Sequence, residues 1–211
     1  AYQRSSFDSR TTAYTDFMDL VPGVPDGVEE TDADTTYYFV VDPYATILVR
    51  NENGLNLSTG LRAHFHNEYG QFLTYLFNPS YVFEANETVD LELFASASSA
   101  FKSPSLYQLF SIYGNDQLQP EESVSYEVGV AAHFPEAVAE VALFKRNESN
   151  KIIFGTMGYE NGGEVEFSGI EFNANWQITE NGSLQYFYSQ VFSNDSSALF
   201  RIPDLQYGLT F

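Results

Sequence analysis

The feature that most limits what this chain can become is a two-residue alternation carried for an unusual distance. Leu55, Leu57, Thr59, Leu61, Ala63 and Phe65 alternate with Asn56, Ser58, Gly60, Arg62, His64 and His66. Side chains of an extended strand point to opposite faces in turn, so this run puts an apolar row on one face and a polar row on the other. The pattern then repeats. Leu73, Tyr75, Phe77, Tyr81 and Phe83 oppose Thr74, Asn78 and Ser80. Val89, Leu91, Leu93, Ala95 and Ala97 oppose Asp90, Glu92, Ser96 and Ser98. Val124, Tyr126, Val128 and Val130 oppose Ser123, Ser125, Glu127, Gly129 and His133. In the second half Ala139, Val141, Leu143 and Lys145 alternate with Ala142 and Phe144, with continuation expected towards Ile152, Ile153 and Phe154. Val165 and Phe167 are out of phase with Ile170, Phe172, Ala174 and Trp176, and the phase change at Ser168-Gly169 predicts a β-bulge. Leu184, Tyr186, Tyr188 and Phe192 mark another strand, and residues 201–211 the last, with Pro203 tolerable at its start.

These runs are about 10–14 residues long, against the ~5–6 usual in soluble sheets. They match the length a tilted strand needs to cross a bilayer. Short turns at 51–54, 84–87, 135–136 and 179–182 alternate with longer connections at 13–36, 102–120, 149–163 and 194–200. That layout predicts an all-β antiparallel meander of about ten strands and no helix, with turns at one end and loops at the other. A soluble up-and-down sheet would alternate in the same way while hiding its apolar face. Aromatic residues near the strand ends (Tyr37, Tyr38, Phe39, Tyr44, Tyr69, Phe72, Phe83, Phe134 and Tyr186 to Tyr188) suit an interfacial girdle or a sandwich core equally.

The 211 residues include 19 Phe and 15 Tyr, yet no apolar stretch approaches the ~20 residues of a membrane helix. There is no cysteine, which removes disulfides, thiolate nucleophiles and thiolate metal sites. A net charge of −20 argues against nucleic acid as a partner, since phosphate binding needs clustered Lys and Arg. Acidity concentrates in the loop expected over 13–36. Its Asp26, Glu29, Glu30, Asp32 and Asp34 are the hard oxygen donors a calcium ion takes, without the spacing of an EF-hand; a solvated acidic loop explains them as well. His64 and His66, two apart on one strand face, could share a metal, though no third ligand is evident. No nucleophile elbow, HExxH or phosphate-cradling loop is present, so no enzyme activity is expected.

The connection at 102–120 has a dense turn code: Lys102-Ser103-Pro104-Ser105, Tyr113-Gly114-Asn115-Asp116 and Leu118-Gln119-Pro120-Glu121. It also carries Leu106, Tyr107, Leu109, Phe110 and Ile112, which a disordered linker would not, and so predicts a folded loop. The run from Ala100 through Leu109, then Tyr113-Gly114-Asn115, Leu118-Gln119-Pro120-Glu121 and Ser125-Tyr126-Glu127, resembles the barrel signature of TonB-dependent outer-membrane receptors, and most of all the cobalamin transporter branch. Ala142 to Asn147 with Lys151-Ile152-Ile153, Tyr159 to Gly163 with Val165 and Ser168 to Glu171, and Leu199 to Pro203 extend the resemblance over most of the chain.

The resemblance implies a plugged outer-membrane barrel of about 22 strands, importing cobalamin or a similar scarce chelate with energy passed through TonB. Lipid, the chelate and TonB would be its partners, with a surface lipoprotein as a possible further one. Neither the plug nor its TonB-contacting box is found within the 211 residues, so residues 1–211 are expected to be a barrel segment of a longer protein. By the same resemblance the loop at 102–120 faces outward. Arg201 is the first candidate for ligand contact, because a guanidinium can donate to amides or a phosphate; Tyr107, Tyr113 and Asn115 follow. A ferric-siderophore receptor of the same superfamily is the second reading, and a soluble β-rich adhesion or structural domain the third.

Overall fold

A computed structural model describes residues 2–6, 9–13, 27–31, 37–195 and 202–211, with side chains described from Phe39 onward. The strands are β1 (Tyr2–Ser6), β2 (Ser9–Ala13), β3 (Gly27–Thr31), β4 (Tyr37–Val41), β5 (Tyr44–Arg50), β6 (Leu55–His66), β7 (Gly70–Asn86), β8 (Val89–Lys102), β9 (Glu121–His133), β10 (Ala137–Ser149), β11 (Ile152–Phe154), β12 (Tyr159–Asn161), β13 (Val165–Thr179), β14 (Gly182–Ser193) and β15 (Leu205–Thr210). One short helix, α1 (Leu106–Phe110), lies between β8 and β9.

The main sheet is antiparallel and runs β1, β4, β6, β7, β8, β9, β10, β13, β14, β15, with β5 also on β6. Strands β4 and β5 meet β6 in one register, since Val41 pairs with Phe65 and Tyr44 with Arg62. Asp42-Pro43 therefore interrupts a single strand, and the Pro43 carbonyl still accepts from the Ala63 N–H at 3.0 Å. Counted so, ten strands lie side by side as a meander, as the sequence pattern predicts. Among the described residues the sheet does not close: β1 and β15 are its edges. No described helix is long and apolar enough to cross a membrane, which says nothing of strands.

Three local expectations are corrected. The folded connection at 102–120 contains α1, whereas the sequence pattern predicts no helix. A Ser105 capping box starts it: the Gln108 N–H donates to Ser105 Oγ at 3.2 Å, and the Ser105 N–H donates back to Gln108 Oε1 at 2.9 Å. There is no bulge at Ser168-Gly169. Both residues pair in unbroken register with Lys145 and Phe144 on one side and with Phe192 and Val191 on the other. The register shifts lie instead beside the tight turns, between Gln177 and Thr179 and between Glu84 and Asn86. Strand β10 does not run on to Ile152; Asn150 takes a positive φ of 55° and turns the chain into a separate β11–β12 hairpin.

The segment at 13–36 is also not all loop. Glu29 and Glu30 are strand residues of β3, paired with Thr11 and Arg10 of β2, while Asp26, Asp32 and Asp34 lie outside the described residues.

Register fixes which side chains share a face. Leu61, Leu73, Leu93, Val128, Leu143, Ile170 and Trp176 fall on one face, and all but the half-buried Ile170 are open: Leu73 is 64% exposed, Val128 57%, Leu143 55% and Trp176 51%. The opposite face is mostly polar or small, and three of its aromatic residues each face a glycine on the neighbouring strand. Phe94 lies across from Gly129, Phe144 from Gly169 and Phe187 from Gly208. A Cβ at any of these glycines would collide with the facing ring. Each ring occupies the space that a side chain on the facing residue would need.

The phase change in β13 follows from these faces. Ile170, Phe172, Ala174, Trp176 and Ile178 cover nine residues on the apolar face, close to a bilayer-crossing strand segment of ~9–11 residues. Above them on the same face stand Ser168 and Glu166, the latter paired with Lys145 at 2.8 Å. On the other face Val165 and Phe167 are buried, and the Arg146 guanidinium sits 5.0 Å and the Lys151 ammonium 5.3 Å from the Phe167 ring centre. The strand stays regular; its surroundings change.

Candidate functional site

Longer connections gather at the end of the sheet opposite the tight turns, with one exception: β6 and β7 are joined there by three residues, 67–69. At this end lies the one cluster of fully buried apolar side chains among the described residues. It consists of Leu106, Leu109 and Leu118, with Tyr69, Ile152 and Tyr159 packed against it. Leu118 is 1% exposed, and Pro104 is equally enclosed. The cluster draws on the loop at 103–120, the β6–β7 turn and the β11–β12 hairpin. Apolar residues predicted for a folded loop thus form a core of their own above the sheet.

Polar bonds fasten the two larger loops together. The Asn115 amide donates to the Tyr159 carbonyl at 3.1 Å while its Oδ1 accepts from the Gln117 N–H at 2.9 Å. The Tyr159 N–H donates to the Tyr113 carbonyl at 2.9 Å. Asn161 Oδ1 accepts from the Gln119 N–H at 2.7 Å, and its amide donates to the carbonyls of Gln119 at 2.9 Å and Asn150 at 2.7 Å. Glu121 accepts from the Ile152 N–H at 2.8 Å through one oxygen and from Lys102 at 2.8 Å through the other. At Gly158 a Cβ would stand 2.6 Å from the Tyr113 carbonyl oxygen, so the loops touch backbone to backbone there.

Four rings are chained across this junction. Tyr107 meets Tyr159 at 6.2 Å between centres, Tyr159 meets Phe154 at 5.1 Å, and Phe154 meets Tyr113 at 5.5 Å, each edge to face. Tyr107, Tyr113 and Phe154 remain about half exposed, and Ile112 and Met157 stand open beside them. The result is an aromatic face on a rigid base. It can take a large ligand by stacking and apolar contact, with the two tyrosine hydroxyls as polar handles.

The structure therefore brings Tyr107, Tyr113 and Asn115 together. The tyrosines present surface, whereas the Asn115 side chain is committed to holding the hairpin. Arg201 lies outside the described residues. Phe154 enters the sequence reading only as a strand residue, and Tyr159 and Asn161 only within a family-like segment; with 44 residues between Asn115 and Tyr159, spacing does not bring them to this site.

The two histidines turn to different partners. His64 Nδ1 is 2.8 Å from Asp42 Oδ1 and its Nε2 is 3.1 Å from Thr74 Oγ1. His66 Nδ1 instead accepts from the Glu68 and Tyr69 N–H groups at 3.1 and 3.4 Å, capping the turn. Asp42 also pairs with Arg62. Among the described residues no three His, Asp or Glu side chains converge as a metal site.

A family profile described as TonB dependent receptor-like, beta-barrel, matches residues 1–211. The Vitamin B12 transporter BtuB of Vibrio cholerae serotype O1 is 34% identical over 122 residues, which are 56% of this chain and 19% of that protein. Among solved structures, a ferric enterobactin receptor, PfeA, of Pseudomonas aeruginosa in complex with enterobactin superposes with a TM-score of 0.67 at 21% identity, over 90% of this chain and 32% of its own. The siderophore receptor PirA of Pseudomonas aeruginosa gives 0.66 at 24% identity over 75% and 32%. The copper transporter OprC gives 0.66 at 18% identity over 100% and 38%. These structural likenesses carry the fold. The chain spans about a fifth of the length of the curated relative and about a third of the solved chains.

Proposed function

The chain belongs to the TonB-dependent receptor-like β-barrel family, and from that premise we propose that it forms part of the wall and roof of an outer-membrane receptor. The receptor takes up cobalamin or a similar scarce chelate, energised through TonB by way of a plug. The observation that carries this reading is the pairing of an open apolar strand face with a self-packed aromatic loop cap at one end of the same strands. An apolar face of this size needs lipid, and the cap stands where a ligand arriving from outside would meet it first. Family members are outer-membrane proteins, and that is the compartment assigned to this chain.

Cobalamin is placed first because a vitamin B12 transporter is 34% identical over 122 residues. Tyr107 and Tyr113 are the described residues assigned to ligand contact; Asn115 serves by holding the hairpin behind them, and Arg201 is assigned as a polar contact. A ferric siderophore is the second reading, supported by the shape likeness to PfeA and PirA.

The test is a cyanocobalamin titration on outer-membrane fractions of cells producing the full-length protein. Binding at micromolar concentration or tighter supports the cobalamin reading, and Arg201→Ala is then expected to weaken it. Outer-membrane location without cobalamin binding moves the assignment to a metal chelate. A detergent-independent soluble protein would overturn both readings.

A further inference from the structure

We propose that the loop at 103–120 and the hairpin loop at 150–164 open and close as one cooperative unit, with Asn161 as its latch. The argument starts from connectivity. Strands β9 and β10 separate the two loops along the chain, so nothing covalent makes them move together. Asn161 nevertheless bonds across them to Gln119 while a third bond ties it to Asn150 of its own loop. One acceptor and both amide donors go to backbone groups, two of these on Gln119, which is 42 residues away. A side chain that takes both the N–H and the C=O of one residue fixes that residue in place and in orientation.

The rest of the junction depends on the same closure. Tyr159 N–H to Tyr113 O, Asn115 to Tyr159 O, and Ile152 N–H to Glu121 all bridge the same two loops. Beneath them Leu118 of one loop is sealed at 1% exposure, in the core that Ile152 and Tyr159 of the other loop pack against. Neither loop can lift alone without wetting that shared core and stranding several backbone groups. The four-ring face then moves as a plate, whichever chelate it meets, so the inference stands apart from the identity of the ligand.

Hydrogen exchange on the full-length receptor in nanodiscs tests this. In the unmodified protein the amides of Gln119, Ile152 and Tyr159 should exchange through a common opening, with matching protection and a matching response to temperature. Asn161→Ala should speed all three by one shared factor, roughly tenfold or more for the loss of three bonds, while amides of the β9–β10 ladder stay unchanged. Asn161→Asp keeps the shape but sets a carboxylate oxygen against the Gln119 and Asn150 carbonyls, and should raise the same three amides together by at least as large a factor. Acceleration confined to Gln119, with Tyr159 and Ile152 still protected, would overturn the proposal. So would unequal openings in the unmodified protein, a result that needs no variant to fold.

Discussion

The loop cap and the strand wall solve the hydrophobic problem in opposite ways. In the cap, Leu106, Leu109 and Leu118 are sealed by neighbours from three loops, and the backbone is bonded across the junction. In the wall, Leu73, Val128, Leu143 and Trp176 are more than half exposed on a face no other described element covers. Full burial of such a side chain is worth ~1.5–3 kcal/mol, so about ten of them left half open forgo roughly 10 kcal/mol. That is the size of the entire stability of a typical domain, ~5–15 kcal/mol. The wall is therefore built for a solvent of hydrocarbon and the cap for water. The difference also explains why, in a chain with 44% apolar residues, the one sealed cluster among the described residues lies in its loops.

The comparison can be broken by treating one region as if it were the other. The largest effect is expected in the cap. Leu118→Ala should cost ~2–5 kcal/mol of local stability, seen as fast proteolysis within 103–120 while the barrel's unfolding is unmoved. On the wall, Val128→Arg should cost about 2–4 kcal/mol of barrel stability in a bilayer, read by urea unfolding from vesicles, whereas Ser125→Arg on the opposite face should cost far less. Gly158→Ala would push its methyl against the Tyr113 carbonyl, and ~1–3 kcal/mol of overpacking should appear as faster exchange of the Tyr159 amide. The smallest change is Ser105→Ala. It removes the cap of α1 at ~1 kcal/mol and should loosen residues 105–110 without touching β8 or β9.

The wall was legible because its pattern is local. Two-residue alternation from Leu55 to Phe65 states the strand and both faces, and the tight turns state the order of strands. The meander of ten strands follows from those alone. At Ser168-Gly169 the same logic misled, since a change of apolar phase reads as a bulge when it marks the height at which a strand leaves the apolar belt. The helix was a signal passed over: Ser105 and Gln108 stand at the spacing of a capping box directly after Pro104. The cap's closure was not legible. Asn161 resembles any turn asparagine until folding sets it against Gln119. Tyr107 and Tyr113 were singled out through a family resemblance, and their partners Phe154 and Tyr159 come from another loop.

The most direct test of the account is the solvent each face of β9 meets. Spin labels placed singly along residues 123–131 of the full-length protein in lipid bilayers would be compared for collision with oxygen and with a water-soluble nickel chelate. This chain contributes no background thiol, as it has no cysteine. The account predicts a two-residue period, with labels at Val124, Tyr126, Val128 and Val130 favouring oxygen and those at Ser123, Ser125, Glu127, Gly129 and Ala131 shielded from lipid. A flat profile, or preference for the nickel chelate at Val128, would contradict it.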